Sequence, residues 1–122
     1  MTAFVPDPLT LALATLHPGA LRVAVDGDLD FTTAEDLLTT AVAALDGGRL
    51  TDLHLDCGGL RICDSSGLAA LLMIHRHATA AGTRLHLERR PPVLERMLHV
   101  SGTYEHLTGA PAAASRHSST QD

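Results

Sequence analysis

Two short runs concentrate side chains able to do chemistry. In Asp64-Ser65-Ser66-Gly67-Leu68, a carboxylate and two hydroxyls precede an apolar stretch. Hydroxyls at the start of a helix lie near backbone N–H groups without intrahelical partners, at the positive end of the helix dipole. That place tolerates a phosphate, and it equally suits Asp64, Ser65 or Ser66 as a plain helix cap; the two roles are compatible. A nucleophilic serine is disfavoured, because a G-x-S-x-G elbow is absent and no pattern singles out His54, His75 or His77 as its base. The second run, Asp26-Gly27-Asp28-Leu29-Asp30, gathers three carboxylates. An EF-hand loop starting at Asp26 needs Gly at the sixth position and Glu at the twelfth, where this chain has Phe31 and Leu37, so calcium is set aside. What stays open is a solvated acidic turn with Asp30 or Thr32 capping the next helix, or a recognition surface.

The remaining reactive side chains are scattered. Eight histidines include no H-E-x-x-H pattern, and His75 and His77 would point to different faces of a helix, so neither a metal centre nor a cofactor is expected. Cys57 and Cys63 are not a CxxC pair and read as small core residues, which fits a reducing cytoplasm. Arg89-Arg90 before Pro91 reads as an exposed pair with no specific task.

Alternating apolar residues predict strands around Leu9–Leu13, Leu21–Val25, Leu53–Cys57 and Leu85–Leu87. His17-Pro18-Gly19 turns the first strand into the second, making a hairpin. Thr32 and Glu35 have capping-box spacing, and Leu37, Leu38, Ala41, Val42 and Leu45 follow at helical period up to Gly47-Gly48. Gly58-Gly59 is expected to turn the chain after the third strand. A largely covered helix follows from Leu68 to Ala81, stopped at Gly82, and Pro91-Pro92 opens a third helix that ends before Gly102. The order is β-β-α-β-α-β-α, an α/β class with a mixed, mostly parallel sheet of about four strands. The chain divides into a lead (1–8), one domain (9–108) and a tail (109–122) too poor in large apolar residues to repay ordering.

Composition narrows the function classes. A chain of 122 residues fits one domain, and with 45% hydrophobic residues but only two Phe, one Tyr and no Trp the core must be aliphatic. A formal charge of −5 without an Arg run disfavours nucleic acid, which needs a basic face. No apolar run reaches the length of a membrane span, and the N-terminus lacks the pattern of a secretory leader.

Taken together, these runs resemble the STAS family. Gly27-Asp28-Leu29-Asp30 is similar to its Gly-acidic-aliphatic-Asp loop, and Ile62-Cys63-Asp64-Ser65-Ser66-Gly67-Leu68 to its Asp-Ser-Ser-Gly-Leu signature. Pro92 to Leu98, with Ser101-Gly102, resembles the family's last main helix and following turn. The resemblance covers roughly residues 9 to 107. It departs at Ala69-Ala70, where many members have another Gly, and at Cys63, where an apolar or aromatic residue is common.

The resemblance implies an anti-sigma factor antagonist, a non-enzymatic cytoplasmic switch of unstated oligomeric state. Its partner would be a serine-kinase anti-sigma factor that binds the ATP. In antagonists of this type the first serine of the signature is phosphorylated by that partner, which implies Ser65 as the acceptor here. It carries the docking face over to Gly27, Asp28, Leu29 and Asp30, to Asp64, Ser65, Ser66 and Gly67, and to the exposed side of the following helix. Asp28 and Asp30 would contact or orient the partner. The runner-up is a non-catalytic STAS scaffold in a stress-signalling or transport complex. A phosphoaspartate receiver with Asp56 as acceptor is disfavoured because the chain has no Lys to place beside the phosphoryl group.

Overall fold

The computed structural model describes residues 8–110. In chain order its elements are β1 (Thr10–His17), β2 (Ala20–Leu29), α1 (Ala34–Asp46), β3 (Asp52–Cys63), α2 (Ser65–Ala80), β4 (Arg84–Glu88), α3 (Pro92–Ser101) and α4 (Tyr104–Thr108). The expected order is present, with α4 added; α4 is only five residues long, too short to show a period, yet its Leu107 is buried. Most of the expected lead, and the expected tail beyond residue 110, lie outside the described residues.

The sheet order is β1-β2-β3-β4; β1 runs antiparallel to β2, and β3 is parallel to both its neighbours. Alternation decides which side is covered. Val23 and Val25 of β2, Leu53, Leu55 and Cys57 of β3, and Leu87 of β4 share one core with Leu37, Ala41 and Leu45 of α1 and Leu71, Ile74 and Ala78 of α2. Leu94 and Leu98 of α3 and Leu107 of α4 complete that core. The intervening residues are Arg22, Asp52, His54, Asp56, Arg84, His86 and Glu88, so the other face of the sheet is polar.

Three local expectations are corrected. Gly58-Gly59 does not turn the chain: β3 continues through both residues to Cys63. The register with β2 slips between Ala24↔Asp56 and Asp26↔Gly59, and again between Gly27↔Leu60 and Asp28↔Ile62, so the glycines mark a bulged strand rather than its end. They are small because neighbours lie across them. A Cβ on Gly58 would sit 2.7 Å from the Arg89 guanidinium carbon, and one on Gly59 2.6 Å from an Asp26 carboxylate oxygen. The Thr32–Glu35 capping box does not form, since the N-cap is Thr33 and Thr32 instead donates both its amide and its hydroxyl to Asp30 Oδ1. Arg89 and Arg90 both have structural partners. Arg89 adopts a left-handed backbone (φ 51°) and grips Asp56 bidentately, with two contacts of 2.9 Å. Arg90 donates to the Leu87 carbonyl and the Tyr104 hydroxyl, tying β4 to α4.

Helix α2 starts directly over the end of β2. A Cβ on Gly67 would lie 2.8 Å from Leu29 Cγ, 2.9 Å from the Leu29 carbonyl oxygen and 3.0 Å from Cys63 Sγ. A backbone atom is among those neighbours, so side-chain rotation alone cannot make room. Helix propensity favours Ala over Gly by about 1 kcal/mol, whereas overpacking costs about 1–3 kcal/mol. Gly67→Ala is therefore expected to be net destabilising, read as a lower urea midpoint with unchanged m-value.

The buried Asp56 carboxylate is held below its ordinary pKa of 3.8, first by the hydrogen bond from Arg89 and then by the Gly58 amide. A group whose folded pKa is depressed stabilises the fold above the unfolded value and loses that contribution as pH falls through the folded one. Asp56→Asn is expected to lower the urea midpoint at pH 7, with the gap from the parent protein narrowing as pH falls below the ordinary value of 3.8 and through the depressed folded one. A gap that does not narrow as pH falls would contradict this role for the ion pair.

Candidate functional site

The parallel pairing of β2 and β3 joins the two chemical runs. Asp28 is registered with Ile62 and Leu29 with Cys63, and the Asp64 amide donates to the Leu29 carbonyl at 3.2 Å. Both runs therefore leave the sheet at the carboxyl ends of neighbouring parallel strands, the edge where α/β sheets present loops to ligands and partners.

Asp64 performs the capping. Its backbone is extended, its Oδ1 accepts the Gly67 amide at 2.9 Å, and its carbonyl accepts the Leu68 amide at 2.9 Å. That arrangement leaves Ser65, the first residue of α2, exposed and without a side-chain hydrogen bond to any described residue. Ser66 is half-buried and Gly67 buried. No histidine is hydrogen-bonded to either serine among the described residues, so the geometry holds no Ser–His pair. Cys63 precedes this turn as a free, buried thiol whose pKa is pushed up to about 11, first by burial and then by the Asp64 charge. Cys57 is likewise buried, pushed up to about 12, and a thiol held protonated in this way is inert.

In the acidic run the residues face different ways. Gly27 has φ +113°, and a Cβ there would strike the Pro8 carbonyl. Asp28 is only 2% exposed, and its Oδ1 accepts Arg61 Nε at 3.1 Å. Its charge is thus internal and paired, which suits shaping the loop rather than touching a partner. Leu29 belongs to the core. Asp30 is half-exposed; its Oδ1 accepts the Thr32 hydroxyl at 2.7 Å and the Thr32 amide at 2.9 Å. Those bonds, the hydroxyl's foremost, hold its pKa below the usual 3.8.

Beside the start of α2 stands Phe31, which was not among the expected site residues. Phe31 is 81% exposed and lines a shallow groove with Leu38, Ser66, Ala69 and Met73. Its signal was available: one of only two Phe in the chain stands in a polar turn directly after Asp30. By contrast Asp56, the imagined receiver acceptor, lies inside β3, clamped by Arg89 and away from the strand's carboxyl end.

The fold is shared with solved structures. An anti-sigma factor antagonist from Mycobacterium paratuberculosis superimposes with a TM-score of 0.74 at 23% identity, covering 97% of this chain and 98% of that one. The anti-sigma factor antagonist SpoIIAA in its unphosphorylated form gives 0.70 at 19% identity, covering 92% and 96%. The Bacillus cell fate determinant SpoIIAA in its phosphorylated form gives 0.64 at 22% identity, covering 76% and 84%. A murine Solute Carrier 26 anion transporter in the inward-facing state also matches, with a TM-score of 0.67 at 17% identity, over 81% of this chain but only 19% of that one. No helix among the described residues is long and apolar enough to cross a membrane. A family model described as Mlab, STAS domain matches residues 13–109, nearly all of the described chain, and the protein therefore belongs to the STAS-domain family.

Proposed function

We propose that this STAS domain is an anti-sigma factor antagonist that binds a serine-kinase anti-sigma factor and is released from it by phosphorylation at Ser65. The observation that carries this reading is the division of labour in the signature: Asp64 caps α2, which leaves the Ser65 hydroxyl exposed and free to accept a phosphoryl group. The similarity to SpoIIAA, solved in unphosphorylated and phosphorylated forms, supports the same reading.

A phosphate on Ser65 would meet the positive end of α2, so the fold tolerates it. Facing outward, it adds about −1.5 to −2 charges to a surface that already holds Asp64 and Asp30. Because Asp28 is buried and paired with Arg61, the added charge acts mainly on the exposed surface around Ser65. Charge and bulk at the centre of a docking face weaken binding by desolvation and like-charge repulsion. The chain performs no chemistry in this scheme. ATP binding and phosphoryl transfer belong to the partner, which places the protein in the cytoplasm beside the transcription machinery.

Incubating the protein with ATP and each serine-kinase anti-sigma factor encoded in the same genome is expected to add one phosphate at Ser65, seen by intact-mass and peptide analysis and absent in Ser65→Ala. The phosphorylated form should bind that kinase at least about tenfold more weakly, a loss of about 1.4 kcal/mol. Failure of every kinase to modify it, with binding indifferent to Ser65→Asp, would replace the switch with a non-catalytic scaffold in a signalling or transport complex.

A further inference from the structure

The polar face of the sheet holds two matching pentads on adjacent strands, Asp52-Leu53-His54-Leu55-Asp56 in β3 and Arg84-Leu85-His86-Leu87-Glu88 in β4. The leucines enter the core, and the alternate residues stand on the opposite face. Parallel pairing sets His54 directly beside His86, their rings stacked at 4.4 Å between centroids and 12° between planes. Each imidazole has a carboxylate: His54 Nδ1 lies 2.7 Å from Glu88 Oε2, and His86 Nε2 lies 2.8 Å from Asp52 Oδ1. All four side chains are partly covered, with relative exposures of 19% for His54, 35% for His86, 25% for Asp52 and 44% for Glu88.

We propose that Asp52, His54 and His86 form a binding site for a borderline transition-metal dication, with Zn2+ as the reference ion. One donor atom from each of the three lies within 4.8 Å of the others, and all three sit on paired strands rather than on loops. Two imidazoles with one carboxylate suit Zn2+, Co2+, Ni2+ or Cu2+ and are poor for Mg2+ or Ca2+, which take oxygen donors. Nearly parallel rings cannot both hold one ion in their planes, so loading turns one imidazole about its side-chain torsions and exchanges a carboxylate hydrogen bond for a metal bond. Glu88 then serves as the orienting carboxylate for His54, the arrangement by which metal-ligating histidines are commonly held. Three protein donors leave a coordination position facing solvent. The site departs from the expectation of no metal centre drawn from the sequence, and it is independent of Ser65, which lies at the carboxyl edge of the sheet.

The test uses the full-length, untagged chain after chelator treatment. Calorimetric titration with Zn2+ is expected to show one site per chain. Titration with Co2+ should develop visible absorption bands, and Mg2+ and Ca2+ should give no heat. His54→Gln, His86→Gln and Asp52→Asn should each weaken Zn2+ binding at least about tenfold. His75→Gln with His106→Gln, at a tilted histidine pair elsewhere in the fold, should leave it unchanged. Circular dichroism checks that each variant folds. Histidine side-chain NMR of the parent protein gives a second readout, in which Zn2+ should shift the His54 and His86 resonances before those of other histidines. Absence of saturable Zn2+ binding, or binding that persists in both His54 and His86 variants, or shifts first at other histidines, would overturn the site.

Discussion

The contact that the rest of the structure depends on is the seating of helix α2 on the end of β2. Leu29 meets Gly67 where a side chain has no room, and the Asp64 amide bonds back to the Leu29 carbonyl. These two contacts fix where α2 begins relative to the sheet, and hence where Ser65 emerges. The motif Asp64-Ser65-Ser66-Gly67 thus combines two structural residues, a cap and a close-packed glycine, with a hydroxyl that has no structural duty. An exposed serine elsewhere on the surface would be just as reachable. What distinguishes Ser65 is that the ends of β2 and β3 beside it are tied together by strand pairing and by the Asp64–Leu29 bond, which fixes where its hydroxyl emerges.

Much of this was legible in the sequence because local chemistry and tertiary packing agree. Apolar alternation located the strands, Gly47-Gly48 and Gly102 stopped α1 and α3, and two motifs at the ends of consecutive parallel strands met in space. Two of the failures, at Gly58-Gly59 and at Arg89, arise because long-range neighbours overrode the local reading. Gly58-Gly59 looked like a turn, yet the side chains of Arg89 and Asp26, distant in sequence, occupy the space where their side chains would stand. The Thr32–Glu35 box lost to a local competitor, Asp30, whose carboxylate takes both of Thr32's donors. Arg89 looked idle because its partner, Asp56, is 33 residues away.

The acidic loop shows why a motif's residues cannot be assigned one role together. Gly27, Asp28 and Leu29 are buried, and only Asp30 of the four reaches the surface. A buried carboxylate without a partner would be costly, and the Arg61 contact supplies one to Asp28 inside the loop. The exposed aromatic Phe31 follows directly, carried outward by the turn that Asp30 and the two threonines build. The loop therefore keeps one paired charge inside and sets an aromatic ring on the surface, while Asp30 and Asp64 remain partly exposed.

The two faces of the sheet separate what the chain can do. Helices cover one face and, at its carboxyl edge, present Ser65; the opposite face carries the in-register His54 and His86 pair. Purely parallel sheets are usually covered on both sides, and their strands read as continuous apolar runs. Here the Leu-His-Leu alternation in β3 and β4 already signalled an open face, and parallel pairing with no offset between those strands made the histidines neighbours. A one-residue slip of either strand would have sent its imidazole to the core face, so the leucine packing that specifies the fold also specifies this cluster. Its geometry is inherited from the same core that seats α2, although the two sites share no side chain.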